Sequence, residues 1–463
     1  MTSSAVSDRT GAAASASPST QPSAQGMRVA RTDRWARLRL RLLHRLLTPA
    51  GWLRPTAAAR LRGWARVLDW QQATVEHDRR TLVRRALALP MHAWRTAGEA
   101  VAAFGDEVQA VAGVPSRVQR RQLWWLAVRH GLNAQSYLDY QLYRPERRRR
   151  AASYLQEREH TRTVRWLNRQ DADSDAPRLR DKPRFSEWCR EHGFPAVPTL
   201  VEFDRGELVT PTPGPALAAS LPAGDLFSKP NDATGGHGTE RWRYVAAPDG
   251  TSGWQARDGR VRSATELLEE LARTSLSLPL KDGRTSRRMF LQPCLRNHRE
   301  QLPLTPGALC TVRVLVYRAP GERAHALLAA YRMAVGDAPA DNFHFGGIIT
   351  AVDLASGRLG PALRRRGRVL VPVERHPDTG APIACHRLPY WRETVELAER
   401  ALDAVRRVPL LGWDVAITDD GPVLIEGNMA SDPDIAQAPT GVPLSDTPLP
   451  AVIDAYMRAY LGA

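Results

Sequence analysis

At about Gln170 the sequence changes texture, and that change narrows the folds open to it. Residues 32–169 follow a helical pattern rich in Arg, Ala, Leu and Trp, with few strand-like runs. Past the polar stretch 171–177, which reads as a linker, β-branched runs bounded by Gly and Pro take over. Strands are expected at 226–228, 241–245, 289–292, 311–317, 325–331, 348–352 and 423–425, with helices at 185–192, 264–274 and 391–407. Turns such as Pro320-Gly321 between successive runs predict an α+β fold on largely antiparallel sheet, preceded by a mainly helical N-terminal region. The expected divisions are a disordered tail (1–26), a helical Arg-rich region (27–170), a first α+β subdomain (171–290) and a second (291–463).

Charge is unevenly placed. Lys and Arg number 65 against 49 Asp and Glu. Residues 27–62 hold ten Arg and one acid, whereas 391–463 hold twelve acids and five Arg. The basic head suits an anionic membrane surface or an acidic partner. Within it, 34–43 reads either as an amphipathic helix on such a surface or as an ordinary packed helix. The Arg147–150 run reads as a solvated helix face rather than a nucleic-acid patch, since no zinc finger or other nucleic-acid motif accompanies it. No apolar run is long enough to span a membrane, and 1–26 lacks the apolar core of a secretory signal. Four scattered cysteines form neither a disulfide framework nor a zinc site, and Cys294 and Cys310 read as core thiols. A cytoplasmic location, peripheral to the inner face of the membrane, is the expectation.

Three constellations could carry chemistry. In the first, Gly412-Trp-Asp414 and Glu426-Gly-Asn428 flank Asp419-Asp420-Gly421. A three-residue hairpin loop there would place Thr418 opposite Pro422 and Asp414 opposite Glu426, with Asn428 on the same face. Facing carboxylates repel unless a cation lies between them, and hard oxygen ligands suit Mg²⁺. In the second, Lys229 ends a strand and a loop with Gly235, Gly236, His237 and Gly238 follows, which suits either a polyphosphate or a tight turn. Lys182 adds another cation ahead of a helix. In the third, Arg313 interrupts an apolar strand and needs a carboxylate or a phosphate as partner. The stretch Asp341-Asn342-Phe343-His344-Phe345-Gly346-Gly347 could hold an anion or form a bulge.

Taken in order over about 131–442, these signatures resemble the ATP-grasp superfamily, with the nearest likeness to its sugar-transfer associated group, related to α-L-glutamate ligases. The resemblance implies two α+β subdomains clasping ATP. Lys182 and Lys229 would reach the phosphates, residues 235–239 would close over them, and Gln292, Cys294 and Leu295 would line the adenine. Arg313 would steady the γ-phosphate and an acyl phosphate formed from it. Asp414, Glu426 and Asn428 would hold one or two Mg²⁺ ions, and Asn342, His344, Gly346 and Gly347 would face the substrate. The implied activity is an ATP-dependent ligase joining small carboxylates and amines (or thiols). The alternatives are an ATP-grasp kinase of a small molecule and a nucleotide-binding membrane-surface adaptor with little turnover.

Overall fold

The computed structural model describes residues 79–461 other than 169–172, 211–216, 232–237, 247–251, 278–286, 306 and 339. The tail 1–26, the basic head 27–62 with its helix at 34–43, and Gly235, Gly236 and His237 lie outside the described residues.

The chain opens with the expected helices. Helices α1 (Arg79–Ala112) and α2 (Ser116–His130) pack together, followed by α3 (Ala134–Asp139), α4 (Pro145–Arg149) and α5 (Glu157–Leu167). Helix α2 stops at Gly131, whose left-handed backbone lets its N–H close on the Ala127 carbonyl. Phe104, Val108, Leu126, Tyr137, Leu142 and Tyr154 form a core that also takes in Val369 from the later sheet. The helical region therefore docks on the rest of the molecule.

The Arg147–150 run is not the simple solvated face read from the sequence. Arg147 donates to the Ala438 carbonyl, Arg148 to the carbonyls of Leu142 and Tyr143, and Arg150 pairs with Asp446 at 2.6 Å. Three of the four side chains thus tie α4 to its surroundings.

Helices α6 (Ala176–Arg180) and α7 (Lys182–Glu191) come next. The stretch expected as a polar linker ends in an anchor rather than running free. Asp175 is buried, and it accepts from the Arg406 N–H at 2.9 Å and from its guanidinium at 3.0 Å. Although the sequence groups α6 and α7 with the first subdomain, their Leu179, Phe185 and Trp188 pack with Trp413 and Leu424 of the second.

The first sheet contains β1 (Val201–Asp204), β2 (Glu207–Thr210), β3 (Leu226–Pro230), β4 (Glu240–Ala246), β5 (Ser252–Gln255), β6 (Val261–Arg262) and β7 (Arg288–Pro293). Its order is β2-β1-β7-β3-β4-β5-β6, all neighbours antiparallel. Helix α8 (Ala264–Ser277) covers one face, where Leu267 and Leu271 meet Val201, Leu226, Met289 and Leu291. Strand alternation then turns Phe227, Lys229 and Gln292 to the opposite face.

The second sheet contains β8 (Thr311–Arg318), β9 (Ala324–Met333), β10 (Ile348–Val352), β11 (Leu359–Arg366), β12 (Val369–Val373), β13 (Leu410–Thr418) and β14 (Gly421–Asn428). The order is β12-β11-β10-β9-β8-β13-β14, again antiparallel throughout. Val312, Val314, Tyr331, Trp413 and Val415 bury one face in a core shared with Leu397, Ala398 and Leu402 of α9 (Trp391–Ala404). Helix α9 ends before the expected 407 because Val405 turns extended and Arg407 takes a positive φ. On the other face, α10 (Pro433–Thr440) covers Ile349 and Leu363, and α11 (Leu449–Leu461) covers Leu315 and Leu410.

The β13–β14 hairpin corrects one expectation and keeps another. Its turn is shorter than expected, so Thr418 pairs with Gly421 and Pro422 faces Ile417. A bulge between Asp414 and Val415 restores the register, and Asp414 does face Glu426.

Candidate active site

The two sheets face each other across a cleft of about 2000 Å³. On the first-sheet side it is lined by Lys229, Gln292, Cys294 and Leu295, together with Lys182 at the start of α7. On the second-sheet side lie Arg313, Arg332, Asp341, Asp414, Glu426 and Asn428.

Asp181 caps α7 by accepting from the Arg184 N–H at 3.1 Å, and it also pairs with Arg288. The Lys182 N–H reaches Asn231 Oδ1 at 2.9 Å and its Nζ donates to the Asn231 carbonyl at 2.8 Å. An ammonium has three donors, so Lys182 can keep this contact and still meet an anion. Lys229 lies over the Phe290 ring, with Nζ 5.3 Å from its centroid. Burial lowers the Lys229 ammonium to about 8; Glu426 and Asp414 oppose the shift, and Lys182 adds to it.

Arg313 and Asp414 are cross-strand neighbours on β8 and β13, and they pair through both guanidinium arms, one of them at 3.1 Å. Arg332 on β9 donates to the second Asp414 oxygen at 2.9 Å and lies 3.5 Å from Asp341. Asp341 in turn accepts from the Thr311 N–H and hydroxyl at 2.7 and 2.6 Å. Burial would raise the Asp414 carboxyl, but Arg313 and Arg332 hold it well below the carboxylate range. Burial pushes the Asp341 carboxyl up, with Arg332 opposing. Two arginines and two aspartates thus form a charge-balanced cluster beside Glu426 and Asn428 on the cleft face of the sheet. The close approach needs Gly412, since a Cβ there would lie 2.6 Å from Ser431 Oγ and 2.9 Å from Arg313 Cδ.

Asp414, Glu426 and Asn428 come together at the end of the hairpin, as their spacing suggests, but not as equals. Both Asp414 oxygens are engaged by guanidinium groups, which leaves this carboxylate poorly placed for a cation. Asn428 turns its amide nitrogen to Glu426 at 3.2 Å, so its side-chain oxygen remains an acceptor beside a carboxylate. No cluster of three or more His, Cys, Asp or Glu side chains suited to a metal occurs among the described residues. Glu426 and Asn428 nevertheless fit Mg²⁺, which is commonly held by one or two carboxylates while phosphates and water complete its shell.

Gln292 is buried and donates to the Val197 carbonyl at 3.2 Å, while the Cys294 N–H is taken by the Asp225 carbonyl at 2.9 Å. Cys310 is the core thiol expected of it, whereas Cys294 is only half-buried at the cleft wall. Gly238 has a positive φ of 70° beside Pro230. Asn342 caps a short turn by accepting from the His344 N–H, and its carbonyl accepts from Phe345 and Gly347. His344 lines the cleft with its ring 2.8 Å from Asp434, a contact that raises its pKa against the effect of burial. Gly346 supplies a positive φ, and Gly347 packs against the Asn342 backbone, so both serve the turn and neither lines the cleft.

Arg332 is a functional candidate that the sequence reading passed over, and Asp341, its partner, was named there only within the 341–347 stretch. Arg332 carries the same signal as Arg313, a lone charge in an apolar strand, but the expected strand stops one residue short of it.

The sequence profile of the sugar-transfer associated ATP-grasp family matches residues 161–447. This chain belongs to that family. The ATP-grasp match begins inside α5, so α1 to α4 precede it. Among solved structures, the chain is similar to an L-amino acid ligase from Bacillus licheniformis (12% identity over 60% of this chain and 49% of that one, TM-score 0.31). It is also similar to a D-alanine–D-alanine ligase from Bacillus anthracis (11% identity, 62% and 67%, TM-score 0.29) and to the ATP-grasp ligase PsnB complexed with minimal precursor (15% identity, 65% and 70%, TM-score 0.28). The chain thus spans about half the length of the L-amino acid ligase. No curated protein sequence matches it.

Proposed function

We propose that this ATP-grasp protein is an ADP-forming ligase that joins a small carboxylate to an amine or thiol through an acyl phosphate. One observation carries the reading: Lys182 and Lys229 share a single cleft with Glu426, Asn428 and the Arg313–Arg332 pair. The lysines would grip the nucleotide phosphates, while Gln292, Cys294 and Leu295 line the adenine. Glu426 and Asn428 would hold Mg²⁺, which when bound neutralises charge on the transferring phosphoryl group. Arg313 and Arg332, fixed by buried carboxylates, would present their remaining N–H groups to the acyl phosphate without reorganising. Asn342 and His344 would face the substrates. Positioning and charge neutralisation supply most of the rate gain in such phosphoryl transfer. We read 171–290 and 291–463 as the two lobes, with α6 and α7 of the first stretch seated on the second, in a cytoplasmic enzyme of cell-surface polysaccharide or peptide-like metabolite synthesis, with 27–62 at the inner membrane face.

ADP release against pooled amino acids and sugar acids tests the activity. Hydroxylamine should trap the acyl phosphate as a hydroxamate; ADP release with a stable phosphoester and no hydroxamate would make the protein a kinase. Glu426→Gln should lower Mg-dependent turnover by about 100-fold or more, and wild-type turnover in that variant would sink the metal assignment.

A further inference from the structure

The reaction proposed above needs a proton acceptor. Near neutral pH an amine carries its proton and has no electron pair to offer a carbonyl carbon. Most groups on the cleft wall cannot take that proton. The arginines donate but cannot accept, Asp341 and Asp414 are held by arginines, and Glu426 is read as a cation ligand. Lys229 has to stay an ammonium to hold phosphate. Among the described residues, His344 is the histidine of this wall.

Its ring is set up for the task. Nε2 lies 2.8 Å from Asp434, which is buried and stays off the cleft wall, whereas the His344 side chain is 38% exposed. With the carboxylate accepting the Nε2–H, the lone pair of the neutral ring falls to Nδ1, which has no hydrogen-bond partner among the described residues. Both halves of the pair hang from the arginine cluster. Asp341, which lies 3.5 Å from Arg332 and accepts from the Thr311 N–H at 2.7 Å, opens the turn that carries His344. Three residues of such a tight turn advance by about 6 Å. Asn342 fixes the turn by accepting from the His344 N–H at 2.9 Å. Ser431, whose hydroxyl takes an Arg313 N–H at 3.2 Å, lies three residues before Asp434. The imidazole therefore stands beside the guanidinium groups read as the acyl-phosphate clamp.

Charged groups of two further elements face the ring. They are Asp432 and Asp434 at the start of α10, and Arg364 and Arg365 on β11. Arg364 donates to the Gly346 carbonyl at 2.9 Å, and Arg365 lies over the Phe343 ring and pairs with Asp139 of α3. The Asp434 hydrogen bond raises the imidazole from its ordinary value and Asp432 adds to the rise, while burial and Arg365 oppose it.

We propose that His344, oriented by Asp434, is the general base that activates the amine. Nδ1 takes one proton from the ammonium, and the freed nitrogen pair forms the C–N bond at the acyl carbon. The C–O bond to phosphate breaks with its electron pair on the departing oxygen, and that phosphate takes the second nitrogen proton. This role rests on the reading of the cleft as a ligase site.

The test uses the full-length protein at saturating MgATP with the acid and amine that give the fastest ADP release from the pools. Hydroxylamine, largely unprotonated at neutral pH, attacks an acyl phosphate without a base. His344→Gln should lower amide formation by about 100-fold or more, while hydroxamate formation from the same acid stays within about threefold of wild type. Wild-type amide formation should level off with rising pH once the imidazole is neutral. The variant should keep climbing by about tenfold per pH unit as the amine loses its proton to water. Histidine nitrogen NMR of the ligand-free protein, with the His344 signal assigned by its loss in the variant, should show the Nε2–H tautomer. Asp434→Asn should lose that preference, and an unchanged tautomer there would refute the orienting role. If amide and hydroxamate formation fall together, if neither falls, or if the neutral ring carries its proton on Nδ1, the base assignment is refuted while the ligase reading stands. If the wild type yields no hydroxamate from any acid in the pools, the ligase reading falls first and the base falls with it.

Discussion

Asp414 is held between two guanidinium groups on neighbouring strands, and its removal would leave both charges buried with half their partners gone. Asp414→Asn should therefore cost about 3–5 kcal/mol of stability, read as a lowered midpoint in urea unfolding. A cost below about 1 kcal/mol would mean the pair is far better solvated than its burial indicates. Lys229 makes a pH prediction. Its ammonium is lowered from 10.5 to about 8, so above pH 8 the free protein begins to lose the proton that a bound phosphate would retain. The complex then holds more protons than the free protein, and nucleotide affinity should fall by up to about tenfold per pH unit above 8. Stability moves the other way. Between pH 8 and 10.5 the unfolded chain binds more protons at this lysine, so its contribution to stability rises with pH. Lys229→Arg should flatten the affinity profile, and nucleotide titrations from pH 7 to 9.5 would show whether it does.

At the level of elements, the β13–β14 hairpin was legible because its polar residues stand out against apolar strands. The pairing of Asp414 with Glu426 was readable, whereas the shorter turn and the compensating bulge were not, because no residue type marks where an extra residue is accommodated. Strand β11 escaped for a related reason. Its Pro361 and Arg364–Arg366 speak against a strand locally, and ladders to β10 and β12 on either side override that preference. Helix α7 was visible, but not α6 or the sheet that both pack on, since an apolar stripe does not name its partner. Gly412 gives a test at this scale. Gly412→Ala places a methyl group against Ser431 and Arg313, and should cost about 1–3 kcal/mol while displacing the Arg313 guanidinium. Thermal unfolding together with a crystal structure of the variant would check both effects.

Over the whole molecule, the helical region covers what would otherwise be an open sheet edge. Val369 on β12 is buried in the helical core, Glu107 accepts from the Arg368 N–H at 2.6 Å, and Arg365 pairs with Asp139 at 2.8 Å. Gln437 exchanges two hydrogen bonds with Leu155. A truncation that starts at residue 161, where the family match begins, should expose β12 and aggregate. Size-exclusion chromatography of that fragment decides the matter, and a stable monomer would mean the helices are a separable addition. The sequence showed that this region is helical but not that it is needed, because its apolar surface is complementary to strands more than 200 residues away.

The anchoring of Asp175 has a mechanical consequence. It fixes α6 and α7 to the lobe of the second sheet, while Lys182 at the start of α7 grips Asn231, two residues past Lys229 on the first. The start of α7 is therefore a strap that joins the jaws, and loosening it should let one swing against the other. Asn231→Ala should accordingly broaden the spread of distances between a pair of dyes on the two lobes.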